Sequence, residues 1–164
     1  MSLLNSIRVL LLASWLGSAL YFSAVVAPTA FSVLRGQQLA NASELAGAIV
    51  NRALGVVNTG GFIVGLVLMG TALFPKVKSR WPLFELISLG ILVIATGVSQ
   101  WIIAARLHAL RLSIELPIDQ VSASDPRRIA FNSLHGYSVI ALAIAMIAAL
   151  IAFFLIAQRA RLNS

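Results

Sequence analysis

Four long runs of apolar residues divide the chain, and short polar stretches separate them. They cover residues 9–31, 53–74, 83–105 and 136–157. Each is close to the roughly 20 residues that a helix needs to cross a hydrocarbon layer about 30 Å thick. Membrane-crossing strands would alternate in polarity over about ten residues, and none of these runs does so. The pattern therefore predicts an all-α fold: a single domain over residues 1–164 that forms a bundle of four transmembrane helices.

The connections between the runs add helix boundaries. Residues 35–51 are mixed in polarity, and Ser43 is positioned to cap a helix that continues into the second run. Residues 111–128 contain two prolines and several Ser and Asp residues, which is typical of a loop. Because proline is favoured at the first position of a helix, Asp125 and Pro126 predict the start of the last one.

Composition supports a membrane location. Hydrophobic residues make up 60% of the chain and charged residues only 10%, whereas soluble domains carry about 25% charged residues. The net charge of +7 does not indicate nucleic-acid binding, because the basic residues flank the apolar runs and form no stripe. The chain has no cysteine, which excludes disulfides and thiolate metal sites. The lipid bilayer is the first expected partner.

The distribution of charge predicts an orientation. With four spans, both termini and the middle connection share one side of the membrane. That side carries mainly basic residues: Arg8, Lys76, Lys78, Arg80, Arg159 and Arg161. The other side mixes basic with acidic residues: Arg35, Arg111, Arg127, Arg128, Glu44, Glu115, Asp119 and Asp125. The positive-inside rule then places both termini in the cytoplasm, and we expect a bacterial inner-membrane protein.

Small residues predict how the helices approach one another. Gly61 and Gly65 form a small-xxx-small pair in the second run, and such pairs allow close backbone contact in lipid. We expect them to pack the four helices of one chain together. The alternative is that a strip of small residues remains for a membrane-protein partner or a second copy of the chain.

Polar residues at one end of the second, third and fourth runs form a candidate ligand site. They are Asn51, Arg52, Asn58, Arg106, His108, Asn132 and His135. Asn51 and Asn58 are seven residues apart and should share a helix face. His108 and His135 are expected at matched depth, where two imidazoles can ligate one haem iron or a metal ion. Histidines at membrane interfaces more often bond backbone or headgroups, so we predict no metal or cofactor, and a haem or pigment contact stays an alternative.

Two further features bear on chemistry. Glu85 lies just inside the third run, where pairing with Arg80 or Lys76 is simpler than a proton-relay role. No nucleophile elbow, phosphate-binding loop or zinc-protease motif is present, so we expect no enzyme activity.

Two short motifs carry a family resemblance. The first run contains Trp15-Leu16-Gly17, Phe22 and Val25-Val26-Ala27-Pro28-Thr29-Ala30-Phe31, and the last run opens with Phe131-Asn132-Ser133-Leu134-His135-Gly136-Tyr137-Ser138. This pairing resembles the four-span membrane family of unknown function of the DUF4149 type, which is related to transmembrane protein 205. The resemblance implies a compact four-helix bundle, and a eukaryotic relative is associated with resistance to platinum drugs. The matched positions are Trp15, Gly17, Pro28, Phe31, His135 and Ser138.

Three functions follow as hypotheses. The first is a non-catalytic accessory or scaffold subunit of a larger membrane complex, of the respiratory or photosynthetic type. Short loops and apolar helix faces favour it. The second is a small transport or resistance protein that handles a metal or an amphiphilic compound, which the polar cluster and the resemblance favour. The third is a one-haem membrane cytochrome, which rests on His108 and His135 alone.

Overall fold

Four long helices account for most of the chain in the computed structural model, which describes residues 3–73, 81–114 and 116–162. They are α1 (Leu3–Gly36), α2 (Ala42–Ala72), α3 (Pro82–Leu112) and α4 (Pro126–Leu162), with a short 3-10 turn at Ile118–Gln120. Each of the four is long and apolar enough to cross a membrane. The described residues contain no strand. The predicted all-α, multi-pass membrane fold is therefore confirmed.

The helices extend past the predicted runs at the end where α2 and α4 begin. α4 begins at Pro126, as expected, and the Asp125 carboxylate accepts the backbone N–H of Arg127 at 2.8 Å. The predicted Ser43 cap is wrong, because α2 begins at Ala42 and Asn41 occupies the N-cap position. Ser43 instead lies in the first turn and accepts a bond from Arg35. Residue 74, the last of the second predicted run, lies outside the described residues.

The helices form a closed ring in chain order. α1 packs against α2 and α4, and α3 packs against the same two neighbours. α1 and α3 therefore lie on one diagonal of the ring, and α2 and α4 on the other. We call the end where α1 and α3 begin the terminal end, and the end where α2 and α4 begin the loop end.

Small residues bring the backbones close together. A Cβ atom on Gly61 would lie 2.7 Å from the Trp15 indole ring, and one on Gly65 would lie 2.6 Å from Val93 Cγ2. On α4 the core face is built from alanines, with Ala145, Ala149 and Ala152 fully buried. Gly61 and Gly65 thus lie between helices of one chain and are not part of an outer strip.

Two turns of π-helix interrupt the regular hydrogen bonding. In α1 the π-helical turn Phe22–Val26 precedes Pro28, and the backbone N–H of Ala27 donates to the carbonyl of Phe22. Proline has no N–H to donate, and a local π adjustment is a common way to accommodate it in a membrane helix. In α3 the π-helical turn covers Val98–Ile103, and such turns often occur at functional sites.

The outer surface of the ring is apolar on every helix. Leu10, Ile63, Ile94 and Ile147, one from each helix, are more than half exposed. In water such a surface would drive aggregation, whereas lipid tails solvate it at no cost. These faces fit contact with the bilayer.

Candidate functional site

A buried ion pair lies at the terminal end. Arg8 Nη2 is 2.5 Å from Glu85 Oε1, and both side chains are 1% exposed. The same nitrogen donates to the backbone carbonyl of Leu68 at 3.4 Å. The pair spans the α1–α3 diagonal and contacts α2, so one guanidinium joins three helices.

Arg8 is a partner of Glu85 that the sequence did not predict, and it lies in the buried interior. Arg80 and Lys76 lie outside the described residues, so pairing of Glu85 with either of them stays a prediction. Sequence reasoning assigned Arg8 only a role in orientation, because its contact with Glu85 is 77 positions away in the chain. Nε and Nη1 of Arg8 are buried without a partner among the described residues, so the site holds charge that water does not reach.

Asn5 completes the connections at the terminal end. Its Nδ2 donates to the backbone carbonyl of Ile156 on α4 at 3.3 Å. Arg8 and Asn5 together tie α1 to the other three helices. Removing one charge of a buried pair leaves the other uncompensated, so this cluster is suited to holding the bundle together.

A second polar group lies near the middle of the bundle. Asn58 Nδ2 donates to Ser99 Oγ at 2.9 Å, and Ser99 Oγ lies 3.4 Å from Ser138 Oγ. All three side chains are buried, and they connect α2, α3 and α4 in series. The Trp15 indole N–H adds α1 by donating to the carbonyl of Val57 at 2.8 Å. Asn58 Oδ1 is left buried without a partner among the described residues.

An open groove lies on the outer side of the contact between α2 and α3, toward the loop end. Its volume is about 630 Å³, and we call it the α2–α3 groove; the lining residues are Asn51, Arg52, Gly55, Val56, Thr59, Gly60 and Gln100. Gly55 borders the Gln100 amide, and a Cβ there would make an ordinary contact with Gln100 Oε1 at 3.5 Å. That oxygen is buried and has no hydrogen-bond partner in the described part of the chain.

The structure places the seven residues of the predicted site in different surroundings. Asn58 belongs to the buried polar chain, and Asn51 and Arg52 line the groove. The other four are exposed and lie outside the groove lining: Arg106, His108, Asn132 and His135. Position in the chain did not predict whether each of these side chains is buried, lines the groove or is exposed elsewhere.

The histidine pair also lies outside the buried core. Both imidazoles are exposed at the surface of the bundle. Within the described residues, His, Cys, Asp and Glu side chains form no group of three or more that is suited to a metal ion. Ligation of haem or metal by His108 and His135 was the alternative to the prediction of no metal or cofactor, and both stay untested.

Sequence reasoning missed Ser99 and Gln100, although this polar pair stands out between Val98 and Trp101 within an apolar run. Both residues lie in the π-helical turn, where Ser99 bonds Asn58 inside the bundle and Gln100 lines the groove. Ser99 continues the helical spacing of the buried Leu92 and Thr96, so periodicity could have placed it in the interior.

Surface ion pairs hold the connections at the loop end. Arg111 Nη2 contacts Glu44 Oε1, with both side chains about one third exposed, and Arg111 Nη1 donates to the carbonyl of Ile114 at 2.7 Å. Arg127 Nη2 lies 2.9 Å from Asp125 Oδ2. The side-chain hydrogen bond from Arg127, followed by its backbone N–H, holds the pKa of the Asp125 carboxyl below its ordinary value.

One comparison with known families identifies the fold family. The profile of the family described as a domain of unknown function (DUF4149) matches residues 10–115, which is more than half of the chain. The chain belongs to the DUF4149 family. No curated protein and no solved structure gives a significant match. The family assignment and the four apolar helices define a multi-pass membrane protein and assign no activity to it.

The DUF4149 match covers the first of the two sequence motifs and not the second. Its range includes Trp15, Gly17, Pro28 and Phe31, and it ends before His135 and Ser138. Trp15 is buried against Gly61, and Arg35 lies over the Phe31 ring at 5.4 Å. Gly17 and Pro28 are exposed, so the motif combines an internal packing residue with positions on the outer surface.

Proposed function

We propose that this DUF4149 protein is a non-catalytic accessory or scaffold subunit that acts beside a larger membrane protein. The observation that carries the proposal is how the interior polar groups are used. Arg8 bonds Glu85 and Leu68, and Asn58 bonds Ser99, so these groups connect helices to one another. Groups that are held in such bonds are poorly placed to act on a substrate.

The packing of the interior supports the same proposal. The Trp15 ring fills the space over Gly61, Val93 fills the space over Gly65, and alanines of α4 close the remaining side. A transport path through the bundle requires these contacts to open. The outer surface, which is apolar on all four helices, is then the surface available for a partner.

Native purification tests this proposal. The chain is extracted from its own membranes in a mild detergent, and comigrating proteins are identified by mass spectrometry. We expect comigration with a defined larger complex. A chain that migrates alone, or only with copies of itself, contradicts the subunit proposal.

Two glycine variants locate the partner surface. A Cβ atom added to Gly17 would meet nothing within 4 Å, so Gly17→Ile changes the outer surface and leaves the interior intact. Gly65→Ile instead disrupts internal packing at Val93. Loss of the partner in Gly17→Ile at unchanged thermal stability assigns the contact to this face of α1, whereas loss in Gly65→Ile reports unfolding.

The groove favours a second candidate function, the handling of an amphiphilic compound. It combines the exposed Arg52 with the apolar Val56 and the Gln100 amide at the side of the bundle. Gly55→Leu fills the groove beside Gln100. If the protein confers tolerance of an amphiphilic toxin, this variant should lose it while Gly17→Leu keeps it, and equal tolerance in both variants contradicts this second function.

We also propose a bacterial inner-membrane location with both termini in the cytoplasm. The basic residues of the terminal end support this orientation, although Arg8 is neutralised by Glu85. The chain has no cysteine, so single cysteines can be introduced at Leu3 and Ser122, which are both exposed. A membrane-impermeant maleimide should label Ser122→Cys and not Leu3→Cys in cells with a permeabilised outer membrane; the reverse pattern contradicts the orientation.

A further inference from the structure

We infer that the α2–α3 groove is a binding site for one anionic phospholipid whose headgroup carries a hydrogen-bond donor. The inference does not depend on the subunit proposal. It rests on three features of the groove: a cation at its rim, an unsatisfied acceptor one helical turn deeper, and an apolar side that is open to the bilayer.

The cation is Arg52. Its side chain is exposed and lines the groove next to Asn51. Both residues immediately precede the second apolar run, which starts at residue 53, so they lie at the predicted level of the lipid headgroups. A guanidinium forms strong, charge-assisted hydrogen bonds with phosphate, and the Asn51 amide adds donors.

The acceptor is Gln100 Oε1, a buried atom with no partner in the described part of the chain. A buried polar atom without a hydrogen bond is destabilising, so a ligand that donates to it gains affinity. Gly55, one helical turn beyond Asn51 on α2, lies beside this amide, so a larger side chain at this position would cover it. Arg52 and Gln100 would therefore form hydrogen bonds with two chemically different groups of a single ligand, the phosphate and a donor.

The shape of the groove fits a lipid better than a free anion. Its volume of about 630 Å³ exceeds what a phosphate ion needs. Below the polar residues the lining continues along Val56, Thr59 and Gly60 toward the middle of α2, and Val56 is 72% exposed. An acyl chain lies naturally along such a surface. Phosphatidylglycerol has the required combination, because its phosphate is anionic and its glycerol hydroxyls donate.

Native mass spectrometry of the purified full-length chain tests the inference with defined lipids. Phosphatidylglycerol carries both the net negative charge and the donors, phosphatidylethanolamine carries donors without net charge, and phosphatidylcholine carries neither. We expect one retained phosphatidylglycerol per chain, bound more tightly than phosphatidylethanolamine and phosphatidylcholine in that order. Inorganic phosphate at equal concentration is the control for a free anion.

Variants connect the binding to the groove. Loss of a charged hydrogen-bond partner weakens binding by about tenfold, which we expect for Arg52→Gln with phosphatidylglycerol. Gln100→Leu should reduce the preference for phosphatidylglycerol over phosphatidylcholine, and Gly55→Leu should block both lipids sterically. Arg35→Gln removes an exposed arginine at the same end but outside the groove, and binding should be unchanged.

Several results overturn the inference. Equal losses in Arg52→Gln and Arg35→Gln indicate general attraction of anions to a basic surface. Equal retention of the three lipids removes the headgroup selectivity, and full competition by inorganic phosphate assigns the site to a free anion. A chain that migrates without protein partners and still retains phosphatidylglycerol contradicts the subunit proposal and supports this one, so the two failures are distinguishable.

Discussion

The two ends of the bundle use the same residue types in opposite ways. At the terminal end, Arg8 and Glu85 form an ion pair that is 1% exposed on both sides and crosses the diagonal of the ring. At the loop end, Arg111 and Glu44 form an ion pair that is about one third exposed. Burial strengthens the attraction between the two charges and raises the free-energy cost of removing one of them. The Arg8–Glu85 pair therefore stabilises the whole fold, whereas the Arg111–Glu44 pair stabilises only a connection between helices. The terminal end is closed by bonds between its own helices, whereas at the loop end Arg52 is exposed and Gln100 Oε1 has no partner among the described residues.

The largest expected effect comes from breaking the closed end. Glu85→Gln leaves the Arg8 guanidinium buried without its counter-charge, which should destabilise the bundle by about 3–5 kcal/mol. The matched variant Glu44→Gln at the loop end should cost less than about 1 kcal/mol. Reversible unfolding in mixed detergent micelles measures both. Similar losses for the two variants would show that burial does not separate the two ends.

The next effect concerns packing between these ends. Gly61→Ala places a methyl group 2.7 Å from the rigid Trp15 ring. Overpacking of this kind costs about 1–3 kcal/mol. The control is Gly17→Ala, where the added methyl meets open space and should stabilise the helix by up to about 1 kcal/mol. The same unfolding assay distinguishes them, and a neutral Gly61→Ala would contradict the close contact between α1 and α2.

A smaller effect is expected in the middle of the bundle. Asn58→Ala removes the donor to Ser99, and hydrogen bonds between membrane helices contribute about 0.6–1.7 kcal/mol. Asn51→Ala, seven residues earlier on an exposed site of the same helix, should leave stability unchanged. If Asn51→Ala lowers the stability more than Asn58→Ala, the hydrogen bonds of Asn58 and Ser99 do not stabilise the bundle.

The smallest effect concerns pH at the start of α4. Hydrogen bonds from Arg127 lower the pKa of Asp125 below 3.8 in the folded protein, so the carboxylate is stabilising above that value. This contribution is lost as the pH falls through the lowered pKa, and neutral pH should change nothing. Arg127→Gln should raise the pKa of Asp125 toward 3.8, as followed by NMR titration of the carboxyl carbon. Arg35→Gln is the control, and the pKa of Asp125 should not change in it. An unchanged pKa of Asp125 in Arg127→Gln would show that Arg127 does not cause the lowered pKa.

The sequence predicts the helices well, because apolar runs of sufficient length have few alternatives in a membrane. Asp125 and Pro126 also predict the start of α4 correctly. The contact between Arg8 and Glu85 was not predictable, because the two residues lie in different helices and only the ring arrangement brings them close. Ser43 failed as a cap because Asn41, two residues earlier, occupies that position.

The surroundings of the candidate-site residues were not predictable from the sequence. Asn51 and Asn58 share a face of α2, yet only Asn58 is covered by α3, through Ser99. Ser99 continues the helical spacing of the buried Leu92 and Thr96, a signal that the sequence contained, and Gln100 follows it in the π-helical turn. The groove therefore contains two of the predicted site residues, Asn51 and Arg52, together with Gln100, which was not anticipated.

The central claim is that the interior of the bundle is structural and that the outer surface carries the function. Single cysteines introduced into the cysteine-free chain test it most directly. A photoreactive benzophenone is attached in native membranes at Leu10, Ile63, Ile94 or Ile147, one exposed position on each helix, with the buried Ala148 as the internal control. We expect a discrete cross-link to another membrane protein from at least one exposed position and none from Ala148→Cys. Cross-links to lipid alone from all four exposed positions would contradict the claim.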